Sequence, residues 1–301
     1  MSKDSVAFFN FIALPFVLFI DTEYICTLMH KNKLKLLIGV MMIPLLSSCA
    51  TEYRKAQKST DNEYKYQVAM DLYQNEKWYK ANNLFEQIMP AMRGTEEAED
   101  MQFKYAYGCY NQKQYTMSSH YFKNFYQTYS RSDKAEEAMY MSAYSLKEES
   151  PREELDQSST REAISALQGF LNRYPDSKYA PEATKIIDDL QDKLASKSYL
   201  IAKQYYQLRR WKAAMVAFEN FRKDYPDSKY NEEIAYLRLE SSHTLADVST
   251  YNKKEERYQT TVKLYEGFID KYPESTYLKS AEKLYSDALV QLEKIAKNKN
   301  S

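Results

Sequence analysis

Residues 221–234 read FRKDYPDSKYNEEI, and this stretch decides the fold. An apolar helix stripe runs into Phe221. Pro226 then drives Tyr225 out of the helical region of backbone space and stops the helix. Asp227 and Ser228 are helix-capping residues, and Glu232 and Glu233 put acidic charge in the first turn of the helix that follows. One helix ends, a short turn intervenes and another helix begins. The pattern recurs as FLNRYPDSKYAPEA from Phe170 and FIDKYPESTYLKSA from Phe268, 51 and 47 residues to either side. Two fainter copies precede these, FYQTYSRSDKAEEA from Phe125 and EQIMPAMRGTEEAE from Glu86.

Between the copies lie paired helices. Ala69 is followed twelve residues later by Ala81 and then Phe85; Ala106 by Ser118 and Phe122; Ala202 by Ala214 and Phe218. Small residues at a close helix crossing, with an aromatic four residues on, are the packing signature of tetratricopeptide repeats. The spacing here exceeds the usual repeat of about 34 residues, and the loops Glu149–Thr160 and Asp247–Glu255 are expected to carry the excess. The predicted fold is therefore all-α, a right-handed superhelical solenoid of about five helix pairs filling residues 60–298. Neighbouring pairs must stack to bury their apolar faces, and a curved stack leaves a groove lined by the first helix of each pair.

Composition narrows the chemistry. Lys and Arg number 42 and so do Asp and Glu, leaving no basic face of the kind that displaces counterions from nucleic acid. The five Gly are too scattered for a phosphate-cradling loop, and the three His and three Cys are too far apart for a spaced metal motif. Carboxylate runs such as Glu96-Glu97 and Asp188-Asp189 read as solvated helix faces. His120 and His243 lack nucleophile or ligand neighbours. No catalytic residue, metal or cofactor is expected, and the chain reads as a non-enzyme. Tyr is the anomaly, with 29 copies beside 13 Phe and 2 Trp.

The N-terminus reads as an address. Residues 29–48 form a lipoprotein signal peptide: Lys31, Lys33 and Lys35, then the apolar run Leu36–Leu46, too short to span a bilayer. Leu46-Ser47-Ser48-Cys49 resembles a bacterial lipobox, with Cys49 as the lipidated residue and 49–60 as a lipidated linker. Ala50, rather than Asp, follows Cys49, which resembles lipoproteins sent to the outer membrane. Residues 1–28 are read as an extension upstream of the true start at Met29. The mature chain, Cys49 to Ser301, has 253 residues and a net charge near −1. Cys109 then has no disulfide partner and is expected to be a small buried hydrophobe.

If Ala69, Ala106 and Ala143 are equivalent, the residues three before, one after and four after each should face the groove. These are Tyr66, Met70 and Tyr73; Phe103, Tyr107 and Tyr110; Tyr140, Tyr144 and Lys147. Seven of the nine are aromatic. Tyr provides large contact area at low entropic cost and keeps a hydrogen-bonding tip, so the cluster is expected to bind peptides with aromatic or apolar residues.

The whole mature chain resembles the BamD family, the tetratricopeptide lipoproteins of the outer-membrane β-barrel assembly (Bam) machinery. Met139-Tyr140-Met141, Asp156-Gln157, Thr160, Ala163, Phe170, Tyr174-Pro175-Asp176-Ser177, Tyr179 and Ala183 follow in family order. Asp192, Leu194-Ala195, Tyr199, Ala202 and Tyr205-Tyr206 then match a helix found at this place in the family. Two departures bear on loop shape: Arg210 stands before Trp211 where many members have Gly, and Met89-Pro90 replaces Tyr-Pro in the first repeat. The resemblance implies a C-terminal half, 151–301, that docks the periplasmic domains of a BamA-like barrel subunit. It implies an N-terminal half, 61–150, that recognises unfolded outer-membrane proteins through their aromatic-ended C-terminal strand. Other Bam lipoproteins and the outer membrane itself, through the lipid anchor, are the remaining implied partners. The competing reading is another periplasmic repeat adaptor, such as a coordinator of cell division and peptidoglycan synthesis. Such proteins usually carry a coiled coil and no lipobox. A nutrient-binding surface lipoprotein would need larger insertions than this chain has.

Overall fold

The computed structural model describes residues 52–299. Cys49, the signal peptide and the upstream extension lie outside the described residues. Among those described, all regular structure is helical: α1 (Asn62–Gln74), α2 (Trp78–Ile88), α3 (Glu97–Asn111), α4 (Tyr115–Thr128), α5 (Ala135–Glu149), α6 (Ser158–Arg173), α7 (Ala180–Gln207), α8 (Trp211–Asp224), α9 (Asn231–Asp247), α10 (Tyr251–Lys271) and α11 (Leu278–Lys299). Each helix packs on its neighbour in the chain, giving five antiparallel pairs closed by α11. Residues 52–58, expected as linker, are also helical, and Ala56 among them is fully buried.

The small-residue crossings are where the repeat places them. Ala69, Ala81, Ala106, Ser118, Ala143, Ala163, Ala202 and Ala214 are all buried. Four residues beyond the second-helix member of each crossing lies a buried large residue: Phe85, Phe122, Leu167 and Phe218, with Tyr265 beyond Thr261 in the fifth pair. Three residues further come Ile88, Phe125, Phe170, Phe221 and Phe268, also buried. Burying one such side chain contributes about 1.5–3 kcal/mol, and the clusters that hold them cross from pair to pair, as where Phe218 and Phe221 join Ile234 and Leu237 of α9. Gly108 belongs to one tight crossing: a Cβ there would sit 2.1 Å from the side-chain oxygen of Asn82.

The junctions follow the sequence closely. Tyr174, Tyr225 and Tyr272, each before a Pro, have φ near −130° and ψ near +65° (φ −131, −134 and −132; ψ 65, 66 and 61). The Ser three residues on does not cap the helix proper. Its Oγ accepts the N–H two residues later, in the turn ahead of the helix: Ser132 from Lys134 at 3.0 Å, Ser177 from Tyr179 at 3.1 Å, Ser275 from Tyr277 at 3.1 Å. The same hydroxyls donate to Glu99, Glu136 and Glu232, each at 2.6 Å, in the first helix of the preceding pair. The junction therefore stitches consecutive pairs together. At the first junction the mechanism differs, for Met89 stays helical (φ −52, ψ −41) ahead of Pro90.

Within the first, second and fourth pairs the helix-to-helix corner is a residue in the left-handed region, Glu76 (φ 57), Lys113 (φ 60) and Arg209 (φ 56). The N–H of the next residue reaches back five positions, as in Arg210 to Tyr205 O at 2.9 Å, which is a Schellman closure. Arg210 itself has φ −85, so the position before Trp211 requires no Gly.

One loop expectation is corrected. Only 248–250 is non-helical in the fifth pair, because Tyr251 already opens α10. The loop 150–157 lies inside the third pair, between α5 and α6. Its backbone carbonyls accept from Gln157 Nε2 and from Lys193 and Lys197 of α7. The 28-residue α7, about 42 Å long, joins the third pair to the fourth. Ala183, Ile186, Ile187 and Leu190 of its first half pack with the third pair, and Ala195, Tyr199 and Ala202 with α8.

Candidate peptide-binding site

The position three residues before each crossing Ala follows a rule that the single sequence did not reveal. In the third and fourth pairs, and at Tyr236 in the fifth, this aromatic is covered by the Tyr two residues after the next junction Ser. Tyr179 stacks on Tyr140 (4.4 Å between centroids, 8° between planes), Tyr230 on Tyr199 (4.1 Å, 8°) and Tyr277 on Tyr236 (4.6 Å, 13°). Tyr140 is thus a sealed core residue, 4 % exposed, and Tyr66 is likewise 8 % exposed. Both have little surface left for a ligand.

The second pair breaks the rule. The residue two after Ser132 is Lys134, and its ammonium lies 5.5 Å from the centroid of the Phe103 ring. A pocket of about 430 Å³ results, lined by Tyr73 of α1, Asp100, Phe103, Lys104 and Tyr107 of α3, and Lys134. Three of the predicted groove residues, Tyr73, Phe103 and Tyr107, therefore converge. Phe103 and Tyr107 meet edge-on at 5.1 Å, and Tyr107 meets the buried Phe122 at 4.9 Å. The ribbon continues with Tyr110, 6.2 Å from Tyr144, which in turn carries the Lys147 ammonium at 5.0 Å. Met70 packs into the first pair's core instead.

The electrostatics favour neutral phenols beside a clamped charge cluster. Burial, then the carboxylates of Asp100 and Glu137, push the Tyr73 hydroxyl up to about 12. Burial, then the neighbouring Tyr144 and Glu148, do the same for Tyr110, to about 12. Tyr107 is raised by burial and by donating its hydroxyl to Glu137. Burial pushes the Asp100 carboxyl up, but Lys104 and Lys134 outweigh it and hold it below the ordinary carboxylate range; Lys134 stands 2.8 Å away. The site thus offers ring faces and phenolic donors, with two ammonium groups sharing one carboxylate. Asp100, Lys104, Lys134 and Glu137 were not found from sequence. Aligning the junction copies would have exposed Lys134, which stands where the later copies have Tyr.

A second concavity lies in the C-terminal half. About 760 Å³ in volume, it is lined by Tyr205, Trp211, Ala213, Val216, Ala217 and Leu245, with Arg209, Arg210 and Lys212 at its rim. Tyr205 is 42 % and Val216 56 % exposed. The buried Cys109, whose thiol burial raises to about 11, takes part in neither site.

Paired helices stacked through small-residue crossings, with aromatic and charged side chains gathered between first helices, define a helical-hairpin repeat protein. Residues 58–234 match the family described as YfiO, outer membrane lipoprotein, and the chain belongs to that family. Two curated relatives are each named outer membrane protein assembly factor BamD. The one from Caulobacter vibrioides is 23 % identical over 210 residues, covering 69 % of this chain and 69 % of the relative. The one from Neisseria meningitidis serogroup B is 24 % identical over 234 residues, covering 71 % and 88 %. Among solved structures, the TPR2AB-domain:pHSP90-complex of yeast Sti1 covers 75 % of this chain and 98 % of its own, at 11 % identity and a TM-score of 0.34.

Proposed function

We propose that this protein is a lipid-tethered, non-enzymatic scaffold for outer-membrane protein assembly, facing the periplasm. Membership of a family described as outer membrane lipoproteins, and the assembly-factor names of its relatives, support the general role. The N-terminal half captures an extended segment of an unfolded outer-membrane protein. The C-terminal half docks the periplasmic domains of the barrel subunit through the apolar, basic-rimmed concavity around Trp211. The observation that carries the substrate site is the uncovered Phe103 ring, with Tyr73, Tyr107 and two ammonium groups around it.

The mechanism is binding without bond-making. Acyl chains on Cys49 hold the groove at the membrane and raise its effective concentration there. A strand ending in Phe brings an aromatic ring and a terminal carboxylate together. The ring seats on Phe103 and Tyr107. The carboxylate competes with Asp100 for Lys134 and Lys104, a charge-assisted contact worth about 1.5–3 kcal/mol. The phenols, held protonated, donate to strand carbonyls.

The test is titration of a labelled peptide ending in Phe. Tyr107→Ala combined with Tyr110→Ala should weaken binding about tenfold or more, and amidation of the peptide's C-terminus should do the same to the unaltered protein. Unchanged affinity in both would exclude this groove as the substrate site.

A further inference from the structure

Only two residues separate Cys49 from Glu52, where the described body begins. Three residue steps span at most about 10 Å. An acylated Cys49 therefore holds residues 52–58 close to the lipid headgroups. This inference rests on that acylation.

Residues 52–58 lie against α2. The Tyr53 hydroxyl donates to Asn83 Oδ1 at 3.3 Å, Gln57 Nε2 donates to the same oxygen at 3.2 Å, and the Lys80 ammonium stands 5.4 Å from the Tyr53 ring centroid. At the start of α2, Tyr79 is 70 % exposed, the highest value among large apolar side chains of the described residues. Beside it Trp78, edge-on to Tyr73 at 4.8 Å, lines an apolar pocket of about 380 Å³ with Lys77, Lys80 and Gln112. Residues 52–58 and 76–80 carry five cations (Arg54, Lys55, Lys58, Lys77, Lys80) against two carboxylates (Glu52, Glu76), a net +3 in a chain that is neutral overall. Glu52 is already engaged by Tyr64 and Lys55.

An exposed Tyr beside a half-buried Trp, with cations around them and a lipid tether close by, has the chemistry of a bilayer interface. Trp and Tyr settle at headgroup level, and cations pair with anionic phosphates. We propose that this tip of the first helix pair docks on the anionic phospholipid surface, with Tyr79 and Trp78 at headgroup depth. The acyl chains alone would leave the array free to swivel. The patch fixes its N-terminal end against the bilayer and projects the remaining pairs away from it.

The two Trp of the chain make the test direct. The mature acylated protein is reconstituted in phosphatidylcholine–phosphatidylglycerol vesicles containing a phospholipid brominated high on its acyl chain. In Trp211→Phe, which leaves Trp78 as the only Trp, emission should fall at least twofold; in Trp78→Phe, Trp211 should be unquenched. Adding Tyr79→Asp, Lys77→Glu and Lys80→Glu to Trp211→Phe should restore emission while the protein still floats with the vesicles. Intact mass reports acylation. An acylated protein whose Trp78 is no more quenched than Trp211 overturns the docking and leaves the tether standing. A mature chain without acyl groups overturns both.

Discussion

Replacing Lys134 with Tyr should close the pocket at Phe103 and stabilise the fold in one step. At three later positions a Tyr two residues after the junction Ser or its equivalent lies flat on a first-helix aromatic, at 4.1–4.6 Å. Lys134 occupies that register above Phe103. A ring there gains about 0.5–1.5 kcal/mol from the aromatic pair. Covering roughly 50 Å² of apolar surface adds about 1.2 kcal/mol. Against this stand a part-exposed ion pair with Asp100, worth about 0–1 kcal/mol, and a cation–π contact, about 0.5–1 kcal/mol. The net is about +1 kcal/mol, or a Tm increase of about 2–4 °C for a chain of this length. The ring would fill the pocket of about 430 Å³ from its Lys134 side, so affinity for a peptide ending in Phe should fall about tenfold or more. Calorimetry and fluorescence anisotropy read the two effects. A raised Tm with unchanged peptide affinity would remove the pocket from the binding mechanism. A lowered Tm would show that the stacking register does not transfer to the second junction.

Other consequences are as direct. Ser177→Ala removes both the acceptor of the Tyr179 N–H in the turn and the bond to Glu136, and should cost about 1–2 kcal/mol in urea unfolding; Ser228→Ala, whose acceptor contact with Tyr230 N–H is long at 3.4 Å, should cost less. Tyr73 and Tyr110 have folded-state values of about 12, above the ordinary value of 10. Their contribution to stability is therefore complete below pH 10 and is lost as pH rises towards 12. The urea midpoint should begin to fall near pH 10, and a flat profile to pH 12 would contradict the burial assigned to these phenols. Val216→Asp places a carboxylate in the exposed apolar concavity of the C-terminal half. It should weaken capture of the barrel subunit about tenfold or more while leaving peptide affinity intact.

The punctuation of the fold was legible because its causes are local. A Pro acts on the residue before it, and Tyr174, Tyr225 and Tyr272 take the same backbone geometry wherever they fall. The crossing residues were legible because a helix repeats its own face. What stayed hidden depends on how one pair lies on the next. Tyr140 and Phe103 sit at equivalent helical positions, yet Tyr140 is sealed by Tyr179 and Phe103 lines an open pocket. That difference is set by a junction residue 39 positions downstream of Tyr140 and 31 downstream of Phe103, and no periodicity within one helix reports it. The helical segment 52–58 was missed because its burial comes from α2, through contacts such as Tyr53 with Asn83. The bridging by α7 was hidden because its first half packs on the third pair and its second half on α8.

Site-specific photo-cross-linking in intact cells tests most directly whether the two concavities have separate occupants. A photoreactive residue in place of Tyr110 should cross-link unfolded outer-membrane protein through its C-terminal segment, and one in place of Val216 should cross-link the barrel subunit. Substrate captured only at Val216, or the barrel subunit only at Tyr110, would contradict the assignment of substrate to the first pairs and docking to the last.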